Sequence, residues 1–266
     1  MSEKLNKSLS NYCNEMKTSK HKAIVIYITA GIENWKEAIA VCIDNGADII
    51  EIGLPFSDPT MDGPIIAQAS YRSIENGSHT LELLAELSEL KFKRPLVVMT
   101  YMNILYSHGL DLAIQSCNDA NISGLIIPDL TYEESFLLDE TLNDTDISHI
   151  QLISSTTNDV RKEEILDKSE GFLYTIALKG ITGQEVSFDE EIIEFFKDIE
   201  LNTIQPSYCG IGIRTAEQAK EISQYCDGII VGSSIVAKLM NKPNDLDDIG
   251  KFVSDLRQAI DSSSLA

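Results

Sequence analysis

Glu51 is the residue whose setting points most directly to chemistry. It lies in the run Asp48-Ile-Ile-Glu51-Ile-Gly53, with isoleucine on both sides. A charged carboxylate is costly to bury in hydrocarbon. Desolvation raises the pKa of such a group and suits it to proton transfer near neutral pH. A rim glutamate held in an ion pair fits the same letters, because structural charge networks also occupy strand ends. The segment that follows, Pro55-Phe-Ser-Asp58-Pro59-Thr-Met-Asp62-Gly63-Pro64, brings two more carboxylates. Asp before Pro and Asp before Gly are ordinary turn residues. Either could instead supply a fixed negative charge or accept a substrate N–H.

Two glycine turns come later: Cys209-Gly210-Ile-Gly212-Ile-Arg214 and Val231-Gly232-Ser233-Ser234-Ile235, the second opening a short helix. Glycines let the backbone come close to a phosphate, and free N–H groups at a helix start bind its charge. Tight turn geometry alone would use the same residues, and neither segment is a dinucleotide fingerprint or a P-loop. A fourth segment, Tyr174-Thr-Ile-Ala-Leu-Lys179-Gly180-Ile-Thr182-Gly183, is bounded by glycine and could close over a site to exclude water. The alternative is a plain connection with Tyr174 in the core. Lys179 at a strand end could act as a Schiff-base nucleophile, although a lysine before glycine on a loop is more often a solvated charge.

These residues need a scaffold, and the apolar pattern predicts one. Strands are expected at Ala23–Ile28, Asp48–Ile52, Pro95–Thr100, Gly124–Pro128, His149–Ile153, Phe172–Ile176, Ile204–Cys209 and Gly228–Val231. Their unbroken Ile, Val and Leu content is that of buried parallel strands, and the stretches between them have helical spacing. Eight such repeats predict one α/β domain spanning residues 1–266, a closed barrel or a large doubly wound sheet, and 266 residues suit a single (β/α)8 TIM barrel. Each chemical segment follows a strand, and barrels build their sites at that end, frequently with phosphate after strands seven and eight. Asn34 with Glu37, Thr131 with Glu134 and Thr215 with Gln218 have the spacing of helix-capping pairs. Leu5, Leu9, Tyr12 and Met16 form one apolar stripe, an extra N-terminal helix. Leu246, Ile249, Val253, Leu256 and Ile260 form another, and both suit helices packed on the outside of a barrel.

Composition narrows the partners. Lys and Arg number 21 against 42 Asp and Glu, a formal charge of −21, which argues against nucleic acid or an anionic membrane. A small phosphorylated substrate remains compatible, because a local nest of N–H groups binds phosphate against the global sign. Five scattered cysteines and four isolated histidines have no spacing for a disulfide frame or a metal site. Residues 1–20 lack the apolar stretch of a signal peptide, so a cytoplasmic protein is expected.

Ile50-Glu51-Ile-Gly-Leu-Pro55-Phe56-Ser57-Asp58-Pro59 through Asp62-Gly63-Pro64 closely resembles the signature of tryptophan synthase α subunits. The likeness continues at Tyr27-Ile-Thr-Ala-Gly31, Tyr101-Met-Asn103, Ile127-Pro128-Asp129-Leu130 with Glu133-Glu134, Gly180-Ile-Thr182-Gly183, Gly210-Ile-Gly212-Ile213 and Gly232-Ser-Ser-Ile-Val236. The resemblance implies retro-aldol cleavage of indole-3-glycerol phosphate to indole and glyceraldehyde 3-phosphate, with no metal or organic cofactor. It implies that Glu51 is the acid–base and that Asp62, rather than Asp58, accepts the indole N–H. Tyr174 would line the site, Thr182 would bond Asp62 from the closing loop, and Gly183, Gly212, Gly232 and Ser233 would hold the phosphate. It further implies a β-subunit partner in an αββα heterotetramer, facing the Asp58 loop and residues 129–134, with pyridoxal phosphate only in that partner. Ile24 and Ile26 replace the family's usual Phe and Pro, Ile211 replaces a usual Phe, Thr131 replaces a common Pro, and Leu178-Lys179 is unusual. The aromatic walls are therefore thinner, which leaves open an activating partner without turnover, and Lys179 at its strand end separately leaves open a Schiff-base aldolase.

Overall fold

The computed structural model describes residues 7–176 and 190–263. Nine strands form one parallel sheet: β1 (Ala23–Thr29), β2 (Ile49–Gly53), β3 (Leu96–Met99), β4 (Ile122–Ile126), β5 (Ser148–Ile150), β6 (Leu152–Ser154), β7 (Leu173–Ile176), β8 (Ser207–Gly210) and β9 (Gly228–Val231). Their order is β5-β4-β3-β2-β1-β9-β8-β7-β6. The two ends of that order, β5 and β6, are separated in the chain only by Gln151. The sheet therefore closes on itself as a (β/α)8 barrel whose fifth strand is broken at Gln151. The Gln151 carbonyl still accepts from the Tyr174 N–H at 2.9 Å, across the break.

Alternation along the strands divides the core in two. Ala23, Val25, Ile49, Val97, Ile126, Ile150, Phe172, Tyr208 and Ile230 point inward and form one cluster. Ile24, Ile26, Ile50, Ile52, Val98, Leu125, Ile229 and Val231 point outward into a second cluster with the surrounding helices. Burial on both faces explains why these strands read as continuous hydrocarbon rather than as alternating sequence.

The N-terminal helix, Ser8–Thr18, does not pack on the outside as its stripe suggested. Its Leu9, Cys13 and Met16 belong to the inner cluster, and it plugs the barrel at the amino ends of the strands. Leu9 sits against Gly124 and Gly171, where an added methyl would lie 2.9 Å from its Cδ2. An amphipathic stripe specifies a buried face but not what covers it. The C-terminal helix, Leu246–Ser263, does pack outside, against the helices Trp35–Asp44 and Ala216–Ile222.

Other differences are local. Thr215 caps its helix by accepting from Gln218 N–H, and the Gln218 amide oxygen accepts from Arg214 N–H in return. Asn34 makes no such cap. It takes a left-handed conformation, φ 57°, and its amide donates instead to Pro243 O and Asn244 Oδ1. Thr131 bonds the Glu134 side chain at 2.8 Å over a short 3₁₀ turn, Tyr132–Glu134. The strand predicted from Ile204 begins only at Ser207, and Ile204 is left 88% exposed. Among the described residues, no helix is long and apolar enough to cross a membrane.

Candidate active site

The inward side chains grade from hydrocarbon to polar toward the carboxyl ends of the strands. On β2 the inward series is Ile49, Glu51, Gly53, and on β1 it is Val25, Tyr27, Thr29, with Tyr27 beside Glu51 and Thr29 beside Gly53. Gly53 is required by this arrangement. A methyl there would lie 1.9 Å from the Tyr27 hydroxyl oxygen, because the phenol rests directly over it. Gly53→Ala should therefore displace the ring and destabilise the chain by about 1–3 kcal/mol, as overpacked cores do. Chemical denaturation would measure the loss.

Two acidic residues of this region meet opposite environments. Asp48, only 3% exposed, accepts from Ile24 N–H at 3.0 Å and sits beside His21 and Arg257. Glu51 is 0% exposed, and among the described residues neither of its oxygens has a hydrogen-bond partner. Burial, with a smaller contribution from the nearby Asp62 charge, pushes the Glu51 pKa up to about 8. The carboxyl is therefore mostly protonated at pH 7, a neutral acid rather than half of a rim ion pair.

The loop after β2 settles differently for its two aspartates. Asp58 is exposed, whereas Asp62 turns inward toward Glu51. Partial burial raises the Asp62 pKa to about 6, and a hydrogen bond with Tyr101 opposes that rise. Tyr101 braces this loop. Its hydroxyl accepts from Met61 N–H at 3.1 Å, and its ring packs on Phe56 with centroids 4.8 Å apart. Phe56 is fixed in turn by the Ser70 hydroxyl, which accepts from its N–H at 2.7 Å and donates to its carbonyl at 3.1 Å. Pro64 opens the helix Pro64–Glu75 at a position whose N–H would lack a partner anyway, and so ends the loop sharply.

Across the mouth, β7 places Tyr174 over Gly210, where a methyl would meet the ring at 2.7 Å. Tyr174 lies within the electrostatic reach of Glu51, Tyr27 and Asp62, and burial holds its phenol protonated. Gly212, φ 71°, occupies the left-handed region with open space before it. Gly232 lies against Tyr27 Cβ, 3.2 Å from where its own methyl would be, and caps the helix Ser233–Asn241. The N–H groups of Ser233 and Ser234 start that helix and have no acceptor within it. Ser234 ties the two glycine turns together by donating to Ile213 O at 2.7 Å.

Glu51 and Tyr27 thus come from the adjacent strands β2 and β1, and Gly232 directly follows β9, which pairs with β1 on its other side. With strands about 4.8 Å apart, the acid and the glycine turn lie roughly 10 Å from each other, a span one small phosphorylated molecule can bridge. The structure brings together Glu51, Asp62, Tyr174, Gly212, Gly232 and Ser233. Thr182, Gly183 and Lys179 lie outside the described residues. No role was expected of Tyr27 or Tyr101 from the sequence. For Tyr27 a signal was present, since it is the one aromatic in an Ile-rich strand and shares the parity of Val25. For Tyr101, only the pairing of loops separated in sequence reveals the brace.

Residues 13–261 match the family model described as tryptophan synthase alpha chain. A tryptophan synthase alpha chain from Staphylococcus carnosus is 37% identical over 249 residues, which are 92% of this chain and 98% of that one. The chain belongs to the tryptophan synthase alpha chain family. Solved structures agree. Tryptophan synthase from Mycobacterium tuberculosis superposes with a TM-score of 0.87 at 28% identity, covering 96% of this chain and 99% of that one. The alpha subunit from Legionella pneumophila gives 0.86 at 27%, with the same coverage. Tryptophan synthase alpha chains are lyases acting on indole-3-glycerol phosphate, and they use no cofactor of their own.

Proposed function

We propose that this alpha chain cleaves indole-3-glycerol phosphate with Glu51 as the acid–base and Asp62 as the fixed anion. The observation that carries the assignment is Glu51 itself: fully buried, without a hydrogen-bond partner among the described residues, and facing the same mouth as the phosphate turns. Glu51 gives its proton to indole C3. The ring nitrogen becomes positive, and the Asp62 carboxylate accepts its N–H and offsets that charge. The hydroxyl on the adjacent side-chain carbon then returns a proton to Glu51. The bond from that carbon to C3 breaks, and its electrons restore the aromatic ring. Indole and glyceraldehyde 3-phosphate leave, and Glu51 is protonated again.

In this reading Tyr174 lines the glycerol portion, while Gly212, Gly232 and Ser233 hold the phosphate through backbone N–H groups. Thr182 and Gly183 take the closing-loop roles of the family, Thr182 toward Asp62 and Gly183 toward the phosphate. The chain works in the cytoplasm as one domain and joins a β subunit in an αββα assembly. The exposed Asp58 loop and residues 129–134 are turned to that partner, which alone carries pyridoxal phosphate.

The pH profile follows from the two carboxyls. Activity needs Asp62 ionised and Glu51 protonated, so kcat/KM should be bell-shaped, with limbs near pH 6 and pH 8. The function is tested by incubating the chain with indole-3-glycerol phosphate and assaying indole, with and without a β subunit. Absence of indole in both would overturn it.

A further inference from the structure

The proposed step leaves a charge on Glu51 for which the resting site makes no provision. Once the proton has gone to indole C3, the carboxylate stands fully enclosed, and a buried ion without a hydrogen-bond donor is costly. Among the described residues neither Glu51 oxygen has a partner, which suits the neutral acid and not its conjugate base. A donor must therefore reach the carboxylate as it forms.

The wall of the mouth limits the choice. The titratable groups that face Glu51 are Asp62 from the loop after β2, Tyr27 from β1 and Tyr174 from β7, with Tyr101 behind Asp62 and Cys209 behind Tyr174. Among the described residues Asp62 is the one charged member of this set, and it repels a second carboxylate. The two phenols remain, and burial keeps both of them protonated. Tyr174 lies across the barrel and, in the proposed reading, meets the glycerol portion of the substrate. Tyr27 has no such duty.

Tyr27 is the register partner of Glu51 on the adjacent strand, with its side chain on the same face. Its ring leans along the Glu51 strand toward the mouth, so its hydroxyl oxygen lies 1.9 Å from where a Gly53 methyl would be. Gly53 is the next residue after Glu51 on that face, and same-face side chains of a strand start about 6.6 Å apart. The glutamate carboxyl already spans part of this interval, two carbon–carbon bonds of about 1.5 Å beyond Cβ. A turn of the Glu51 side chain toward the mouth closes the rest. Thr29 is the phenol's other polar neighbour, a resting place for the hydroxyl while the acid is neutral.

We propose that Tyr27 is a positioning residue for the acid–base: its hydroxyl donates a hydrogen bond to the Glu51 carboxylate formed when C3 is protonated. The phenol keeps its own proton throughout. This inference rests on the proposed cleavage and adds to it the donor that makes the ionised acid tolerable inside the barrel.

The test is Tyr27→Phe in the full chain, which keeps the ring over Gly53 and removes only the donor. A hydrogen bond to a charged partner is worth about one to two factors of ten, so kcat for indole formation should fall about 10- to 100-fold with KM little changed. The Glu51 carboxyl, followed by its ¹³C titration, should move upward from about 8 by about one to two units. A merely structural role predicts the opposite sign, because a loosened mouth admits water and lowers that pKa. Tyr174→Phe should leave the Glu51 titration near its native position. An unmoved or lowered titration in Tyr27→Phe, or a rise that appears instead in Tyr174→Phe, would overturn the proposal. A titration that rises in Tyr27→Phe while the native chain makes no indole would uphold the contact and contradict the proposed cleavage. Native cleavage with an unmoved titration would do the reverse.

Discussion

Glu51→Gln should reduce indole formation by at least about 10³-fold, within the 10²–10⁴ that a positioned acid–base typically supplies, and should make the folded chain more stable. The two effects have one cause. The carboxyl is enclosed with no hydrogen-bond partner among the described residues, and its folded pKa of about 8 stands well above its ordinary 4.5. Between those values the folded chain binds a proton that the unfolded chain has released, so stability falls as pH rises through this window, and the loss levels off above pH 8. Glutamine keeps the shape and never ionises, so it escapes that loss. The variant's advantage should be under about 1 kcal/mol at pH 5 and grow to about 4 kcal/mol at pH 8. Urea unfolding at the two pH values reads it directly. KM should change little, because the phosphate turns are untouched. A variant no more stable at pH 8 than at pH 5 would mean that Glu51 is solvated or paired.

Asp62→Asn should lower kcat by about 10²–10³-fold, the usual effect of removing one preorganised electrostatic partner of a developing charge. It should also move the pH profile. The Asp62 charge is one of the two causes that raise the Glu51 pKa, so its removal lowers that pKa. The alkaline limb of the residual activity should therefore shift to lower pH, and the acid limb, set by Asp62 itself, should disappear. Steady-state rates from pH 5 to 9 would show both. Loss of rate with an unchanged alkaline limb would separate Asp62 from Glu51 and weaken the account of their coupling. Asparagine keeps the volume and the reach to Tyr101, so the loop braced by Met61, Tyr101 and Phe56 should remain folded.

Much of this site was legible in the letters because chemistry there opposes the local pattern. A carboxylate between isoleucines breaks the hydrocarbon rule of a buried strand, and glycines before a helix start break no rule but leave N–H groups free. The strands were legible for the same reason, since continuous Ile and Val runs fit a sheet buried on both sides. Asp58 and Asp62 were not separable by residue type, because both occupy turns. Packing of Tyr101 under the loop decides which one turns inward. Periodicity identified a buried face on residues 8–18 but could not say that this face plugs the barrel. Asn34 was misread because a left-handed backbone and the distant acceptors Pro243 and Asn244 leave no local trace. The break at Gln151 was hidden too, for it depends on where neighbouring ladders stop.

The proposed cleavage depends on a carboxylic acid that stays neutral at physiological pH at the barrel mouth. The direct measurement is the ¹³C titration of the Glu51 side-chain carboxyl in the free chain. A single transition near pH 8, moving toward acid in Asp62→Asn, is the predicted result. A carboxyl already ionised at pH 6 would contradict it.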